Sequence, residues 1–176
     1  MTDDELLAAV RSRGSTGRWT DLPGGGQPPA PATRAAVHAA EQALGYEMPA
    51  LLRRLYTEIA DGGVGPRAGM DGVSEDNWST VSNYLAYHEA ELEPGVPPPP
   101  PRGVFFLCDF GCATWVLLDC REPQGRMWWW DQGERHKLDL TFRQWLQSWL
   151  DGHFNTDLMC ALRVDDEESW VWPDEP

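Results

Sequence analysis

Cysteine and histidine are the residues of this sequence with the chemistry for nucleophilic catalysis or metal binding. They are Cys108, Cys112, Cys120, Cys160, His38, His88, His136 and His153. Structural zinc sites take their ligands from short spaced pairs such as Cys-x-x-Cys, which the sequence lacks. Cys108 and Cys112 are four apart but flank a predicted strand turn, so a zinc site stays open only if its ligands assemble in the fold. The sequence also lacks Gly-x-Ser-x-Gly, His-Glu-x-x-His and a phosphate-binding glycine loop. We therefore predict no catalytic residue, no metal and no cofactor, and reduced, mostly buried thiols. A Cys–His pair that meets only in the fold stays open as the alternative.

The chain is strongly acidic. Its 176 residues include 28 Asp and Glu against 14 Lys and Arg, which gives a formal net charge of −14. A surface of this sign repels nucleic-acid phosphates and anionic membranes, so we predict neither as a direct partner. The charge favours a basic protein partner, with solubility alone as the other explanation. No run approaches the ~18 apolar residues of a membrane span, and residues 1–5 are acidic where a signal peptide is basic, so we expect a cytoplasmic protein.

Helix signals divide the first part of the chain. Thr2 begins a capping box, and the apolar spacing after it predicts a first helix. Residues 22–32 are rich in Gly and Pro and predict a flexible connection. Thr33 caps a second helix that ends at Gly45, and Pro49 suits the first turn of a third helix.

A fourth helix precedes a run of prolines. Ser74 or Asp76 can cap this helix, and apolar residues from Trp78 onward recur at helical spacing. Residues 97–101 are five consecutive prolines. Such a run is either a polyproline ligand for an aromatic groove or a stiff spacer between a helix and a sheet, and we favour the spacer.

Apolar runs separated by short turns predict an antiparallel sheet in the second half of the chain. Its three strands are residues 104–109, 113–120 and 126–131. Thr141 caps a last helix with a regular apolar stripe. Helices, then strands, then a helix predict an α+β fold, with helices packed on an antiparallel-rich sheet in a single domain. We divide the chain into an N-terminal helix with a flexible arm, a main domain, and an acidic tail containing tryptophan: residues 1–32, 33–151 and 152–176.

Residues 41–65 contain the most diagnostic pattern, Glu-x-x-Leu-Gly followed by Met-Pro, a leucine-rich helix and Gly-Gly. The positions that carry it are Glu41, Leu44, Gly45, Pro49, Leu51, Tyr56, Gly62 and Gly63. An Asp-x-Gly-Cys turn at Asp109 and Gly111, and a Thr-Phe-x-x-Trp-Leu helix at Trp145, follow later. In order and spacing, the sequence resembles the SMI1/KNR4 superfamily, the SUKH domain, over about residues 33–151.

Two positions depart from the family pattern. Asp61 stands where Asn is common, and Val64 stands where an aromatic residue is common. The resemblance implies a non-enzymatic protein-binding module, with no catalytic residues to carry over. Bacterial members resemble immunity proteins that neutralise a cognate toxin, often a nuclease or a nucleic-acid deaminase, and eukaryotic relatives act as scaffolds. We therefore expect an immunity protein for a basic toxin, as a monomer or weak dimer, with an adaptor or scaffold in host regulation as the alternative.

Three consecutive tryptophans on the third predicted strand are the most unusual feature. Alternation along a strand sends Trp129 to one face of the sheet and Trp128 and Trp130 to the other. We expect at least one of them near the surface as a binding hot spot, unless the N-terminal arm or the C-terminal tail covers it. Together with nearby acidic groups, the predicted partner-binding residues are Trp128, Trp129, Trp130, Asp131, Glu75, Asp76 and Trp78.

The remaining pattern residues are expected to shape the backbone. Gly45 ends a helix and Pro49 begins one, while the later Gly-Gly pair turns the chain with positive φ. Glu41 either faces solvent or accepts hydrogen bonds from backbone N–H groups of the Gly-rich loop, and we favour a structural role. Asp109 is expected to form an Asx-type turn.

Overall fold

The computed structural model describes residues 1–23, 26–74, 79–90, 99–131, 134–154 and 156–163. The helices in these ranges are α1 Asp3–Ser15, α2 Arg34–Leu44, α3 Ala50–Glu58, α4 Thr80–Glu89, α5 Phe142–Leu150 and α6 Thr156–Ala161. The strands are β1 Val104–Gly111, β2 Thr114–Asp119, β3 Arg126–Asp131 and β4 Glu134–Thr141. This is the predicted α+β fold. None of the helices in the described ranges combines the length and the apolar character that crossing a bilayer requires.

Local hydrogen bonds fix the ends of the first two helices. The Thr2 hydroxyl accepts the Glu5 N–H at 3.3 Å, and the Glu5 carboxylate accepts the Thr2 N–H at 2.7 Å, which forms the predicted capping box. The Thr33 hydroxyl caps α2 by accepting the Ala36 N–H at 3.1 Å. Gly45 ends α2 with a φ of 77°. These predicted boundaries are confirmed.

The start of α4 differs from the prediction. Ser79, and neither Ser74 nor Asp76, is the N-cap of this helix. The Ser79 hydroxyl accepts the Ser82 N–H at 3.0 Å, and the Ser82 hydroxyl accepts the Ser79 N–H at 3.3 Å. The two serines, three residues apart, thus satisfy each other's backbone N–H groups, and this reciprocal pair forms the N-terminal cap of α4.

The four strands form one antiparallel sheet in the order β1-β2-β3-β4. The three predicted strands are confirmed, but β4 is an addition to them. Only Leu138 and Leu140 are buried in β4, whose other side chains are polar or charged, so its apolar signal in the sequence is weak. Thr141 caps α5 as predicted. However, α6 follows, so the expectation that α5 is the last helix is wrong.

One apolar core joins the N-terminal helix to the rest of the described chain. Leu6, Leu7 and Val10 of α1 are buried in the same cluster as residues of α2, α3, α5 and the sheet. The helix lies against α5, where the Arg143 guanidinium forms an ion pair with Asp3. Burial of these three side chains is therefore what holds α1 on the body of the protein.

The glycine-rich loop that follows α3, residues 61–74, lies along the outer edge of β1. The Asp71 N–H donates to the Leu107 carbonyl at 2.8 Å, which ties the loop to the strand. Gly62 turns the loop with a φ of 85°, and a Cβ at this position would lie 2.6 Å from the Gly72 nitrogen. Only glycine fits here, because any side chain would strain the backbone and clash with it.

Candidate partner-binding site

All three tryptophans of β3 are buried. Trp128, Trp129 and Trp130 are 1%, 2% and 6% exposed. Trp129 packs into the main core on one face of the sheet. Trp128 and Trp130 lie in a smaller cluster with Phe106 and Leu117 on the other. The predicted division between two faces is confirmed, and the expectation that at least one indole lies near the surface is wrong.

Cationic side chains cover the indoles on the second face. The Arg121 guanidinium carbon and the Lys137 Nζ lie 5.8 Å and 5.5 Å from the Trp128 ring centroid. The Arg135 guanidinium carbon lies 4.6 Å from the Trp130 ring centroid. Burial lowers the pKa of Arg135 to about 10, so this guanidinium stays charged at neutral pH. The stems of these side chains exclude water from the indoles, which explains why tryptophans expected at the surface are buried.

The strand register arranges the second face in rows of side chains across the sheet. One row is Asp109, Trp115, Trp130 and Arg135, and the next is Phe106, Leu117, Trp128 and Lys137. Tyr87 of α4 lies over these rows, with its ring centroid 4.9 Å from that of Phe106 and 6.4 Å from that of Trp130. We call the surface formed by Tyr87, Phe106, Trp115, Trp128 and Trp130 the aromatic face.

A cavity of about 450 Å³ opens at the end of the sheet, beside the turn between β1 and β2. We call it the hairpin-end cavity. Its lining includes four residues singled out in the sequence, Gly111, Cys112, Trp129 and Asp131. It also includes three that were not, Asp21, Arg67 and Phe154. The last three come from segments distant in sequence, and no local pattern marks them. This cavity is where the fold brings predicted residues from different strands together.

Most charged groups at the hairpin-end cavity already have partners within the chain. The Asp21 Oδ1 accepts from the Arg13 guanidinium at 2.8 Å and from the Trp149 indole N–H at 3.0 Å. The Arg67 guanidinium donates to the Phe110 carbonyl at 3.2 Å. These bonds fasten the N-terminal segment and the Gly-rich loop around the cavity, so Asp21 and Arg67 act mainly to shape it.

Asp131 is the predicted acidic residue that stays accessible at this cavity. Its side chain is 41% exposed, and its Oδ1 accepts the Thr114 hydroxyl at 3.3 Å. Its Oδ2 lies 3.9 Å from the Arg163 guanidinium. A partly exposed ion pair of this length is weak. The carboxylate can therefore exchange Arg163 for a basic group of a partner at small cost.

The four described residues among the seven predicted partner-binding residues lie on opposite faces of the sheet. Trp129 and Asp131 line the hairpin-end cavity. Trp128 and Trp130 lie across the sheet on the aromatic face. The other three lie outside the described residues: Glu75, Asp76 and Trp78.

Two buried carboxylates accept hydrogen bonds from the backbone of the loops on either side of α3. Glu41 accepts the Met48 N–H at 2.8 Å, within the connection between α2 and α3. Asp61, which is 4% exposed, accepts the N–H groups of Val73 at 2.7 Å and Ser74 at 3.2 Å. The expectation that Glu41 braces the Gly-rich loop is wrong, because Glu41 lies at the other end of α3. Asp61 accepts hydrogen bonds from the backbone N–H groups of that loop. The sequence indicates this role by placing an acidic residue directly before Gly62.

Asp109 and Gly111 set the turn between β1 and β2. The Asp109 Oδ1 accepts the Gly111 N–H at 2.6 Å, which is the expected Asx turn. Gly111, Cys112 and Ala113 have φ values of 79°, 55° and 59°, so three consecutive left-handed residues reverse the chain. The Cys112 side chain is exposed at the tip of this turn.

The thiols of Cys108 and Cys120 are held in the protonated form. Burial, reinforced by nearby carboxylates, raises the pKa of Cys108 well above its usual value. Burial raises the pKa of Cys120 in the same way. Neither is a thiolate at neutral pH, and the thiolate is the nucleophile. Among the residues that the structure describes, no group of three or more His, Cys, Asp or Glu side chains is arranged to hold a metal ion.

Asp71, in the Gly-rich loop, has a carboxyl pKa far above the usual value of an aspartate. Burial, and then the charge of Asp109, raise the pKa of Asp71 from 3.8 to about 7. The Asn83 amide nitrogen lies 3.4 Å from the Asp71 Oδ2 and opposes this change. The Tyr56 hydroxyl donates to the Asp71 carbonyl at 2.8 Å, so the residue is fixed in place.

We expect the contribution of Asp71 to the free energy of unfolding to decline as pH rises from about 4 to about 7. The folded state binds this proton more tightly than the unfolded state, so the stabilisation is complete below the unfolded pKa and is lost through the folded one. Asp71→Asn removes this dependence. In urea unfolding, the stability of the variant relative to the wild type should rise between about pH 4 and about pH 7. A difference that does not change with pH would contradict the raised pKa.

Comparison with protein families adds an independent finding. The family model described as SMI1 / KNR4 family (SUKH-1) matches residues 31–148, which is more than half of the chain. The matched segment contains α2, α3, α4, the whole sheet and most of α5. No curated protein and no solved structure matches this sequence.

Proposed function

Because the chain belongs to the SMI1/KNR4 family (SUKH-1), we propose that it is a protein-binding module that acts as an immunity protein and neutralises a cognate toxin domain. The family match over residues 31–148 is the observation that carries this proposal. The net charge of −14 supports it, because an acidic protein is steered toward a basic partner and binds it faster. Neutralisation then requires only that the protein bind the toxin at a one-to-one ratio and cover the toxin's active site.

The proposed contact surface is the end of the sheet around the hairpin-end cavity. Asp131 lies at this rim, and Glu134, its partner in the strand register, is 79% exposed. Asp109 adds a third exposed carboxylate at the neighbouring turn. Glu75 and Asp76 remain proposed contacts on the strength of the sequence alone. The buried tryptophans are not part of this surface, since a partner could reach them only by displacing their cover.

Protection from the toxin tests the proposed function. The protein encoded beside the gene of this chain should arrest growth when it is expressed alone, and co-expression of the chain should restore growth. The two proteins should also co-purify near a one-to-one ratio. Growth arrest in both strains, without co-purification, would refute the immunity role. Capture of several unrelated proteins in place of this one would indicate the adaptor or scaffold role.

Charge reversal at the rim tests the proposed contact surface. We expect Asp131→Lys with Glu134→Lys to slow association with the toxin about tenfold at low salt, because both changes remove steering charge. Asp139→Lys with Glu47→Lys is the matched control, because it changes the net charge equally. Asp139 is 85% exposed toward the opposite end of β4, and Glu47, between α2 and α3, is 82% exposed. Stopped-flow mixing measures the rates. An equal slowing by the control would place the contact surface elsewhere.

A further inference from the structure

The proline run leads onto the aromatic face. Pro99, Pro100 and Pro101 are its described residues, and Pro100 is buried. The Arg135 guanidinium donates to the Pro99 carbonyl at 3.2 Å. The carbon of the same guanidinium lies 4.6 Å from the Trp130 ring centroid. One side chain of β4 therefore contacts both an indole and the backbone of the proline run.

A continuous set of aromatic rings surrounds this contact. The Phe106 ring centroid lies 5.4 Å from that of Trp130 and 5.2 Å from that of Trp115. Tyr87 extends the set, with its ring centroid 4.9 Å from that of Phe106. Phe106 and Trp130 are buried, whereas Tyr87 is 40% exposed and Trp115 is half-buried. The outer rings of the set are therefore accessible from solution.

Aromatic rings beside a hydrogen-bond donor are the features by which proteins recognise polyproline. A polyproline II helix has no internal hydrogen bonds, so its carbonyl groups are free to accept from a side chain. Its pyrrolidine rings pack on flat aromatic surfaces, and its low entropy keeps the cost of binding small. Arg135 supplies the donor here, and Tyr87, whose ring centroid lies 6.4 Å from that of the buried Trp130, supplies an accessible ring.

We propose that the aromatic face is a proline-recognition surface, which binds a proline-rich segment in the polyproline II conformation through Tyr87 and Arg135, beside the buried Trp130. The chain's own Pro99 occupies this surface, and its carbonyl stands where the acceptor of an external segment would lie. A proline-rich segment of another protein therefore competes with Pro99 for Arg135. This function is independent of toxin binding, which we place at the hairpin-end cavity.

The test removes the internal competitor and adds an external one. In the full chain, residues 97–101 are replaced by alternating Gly and Ser, and a blocked peptide of consecutive prolines is titrated while tryptophan fluorescence is recorded. We expect this variant to bind the peptide at least about tenfold more tightly than the wild type, because the surface is no longer occupied. The peptide should also raise the melting temperature of the variant. If the replacement prevents folding, Pro99→Ala with Pro100→Ala serves in its place.

Matched substitutions in the same background identify the surface. Arg135→Gln and Tyr87→Ala should each weaken peptide binding about fivefold or more, because they remove the donor and an accessible ring. Lys137→Gln, in the adjacent row over Trp128, should leave the affinity unchanged. Equal affinity of the wild type and the Gly-Ser variant, binding that survives Arg135→Gln, or equal binding of a Gly-Ser peptide would each overturn the proposal.

Discussion

Replacing Trp129 with alanine should lower the free energy of unfolding by about 3–5 kcal/mol. The indole is 2% exposed and packs in the main core, with its ring centroid 5.3 Å from that of Phe110 in an edge-to-face arrangement. Alanine would remove this contact and leave a void that the surrounding sheet cannot close. Urea unfolding followed by far-UV circular dichroism measures the loss.

Trp115→Ala is the matched control for this prediction. Trp115 lies on the neighbouring strand, one position from the partner of Trp129, but it is only half-buried and belongs to the smaller cluster. We expect it to cost about 1–2 kcal/mol. Equal losses for the two variants would contradict the burial of Trp129. The comparison also serves as a control for the binding experiments. If Trp129→Ala binds the toxin more weakly, the cause is loss of the folded state and not loss of a contact with the toxin.

Replacing Asp61 with alanine should lower the free energy of unfolding by about 3 kcal/mol, the second large effect that we expect. Its carboxylate accepts from the Val73 and Ser74 N–H groups inside the loop, and alanine would leave both donors without an acceptor. Unfolding in urea gives the total loss. Hydrogen exchange at the Val73 amide gives the local effect, and we expect faster exchange there in the variant.

Asp61→Asn separates the hydrogen bonds from the charge. Asparagine is common at this position in the family pattern and keeps one oxygen that can accept from the Val73 N–H. We expect a loss of about 1 kcal/mol, clearly smaller than that of alanine. If the two variants lose equal stability, the brace that we assign to Asp61 is wrong, and the Gly-rich loop is held by other contacts.

The start of α1 and both ends of α2 were predictable because their causes are local. Thr2 and Glu5 satisfy backbone groups at the start of α1. Thr33 does so at the start of α2, and Gly45 ends that helix. Each acts within a few residues, so the sequence alone indicates the boundary. The strand β4 was missed for the opposite reason. It is stabilised mainly by pairing with β3, and its sequence is charged because its side chains cover indoles across the sheet. Because its stability depends on the neighbouring strand β3, the sequence of β4 lacks the apolar run by which a strand is predicted.

The candidate site was only partly predictable. Alternation placed Trp129 correctly on one face and its neighbours on the other. Burial of those neighbours depends on Arg135 and Lys137, whose positions follow from the strand register and not from spacing along the chain. The cavity at the hairpin end similarly depends on Asp21, which the fold brings there from a distant segment. Contacts of this kind exist only after the sheet has formed.

The chain itself pairs with each outer edge of the sheet at one bridge. On the β1 side, Met70 of the Gly-rich loop pairs with Cys108, and on the β4 side, Leu138 pairs with Arg163 just after α6. An open strand edge is a template on which further strands assemble, and proteins that accumulate to high concentration must block it. A chain cut after α5 would expose β4 and should aggregate under conditions in which the full chain stays dispersed. We therefore expect the segment of α6 and Arg163 to contribute to colloidal stability, although it lies beyond the segment that matches the family.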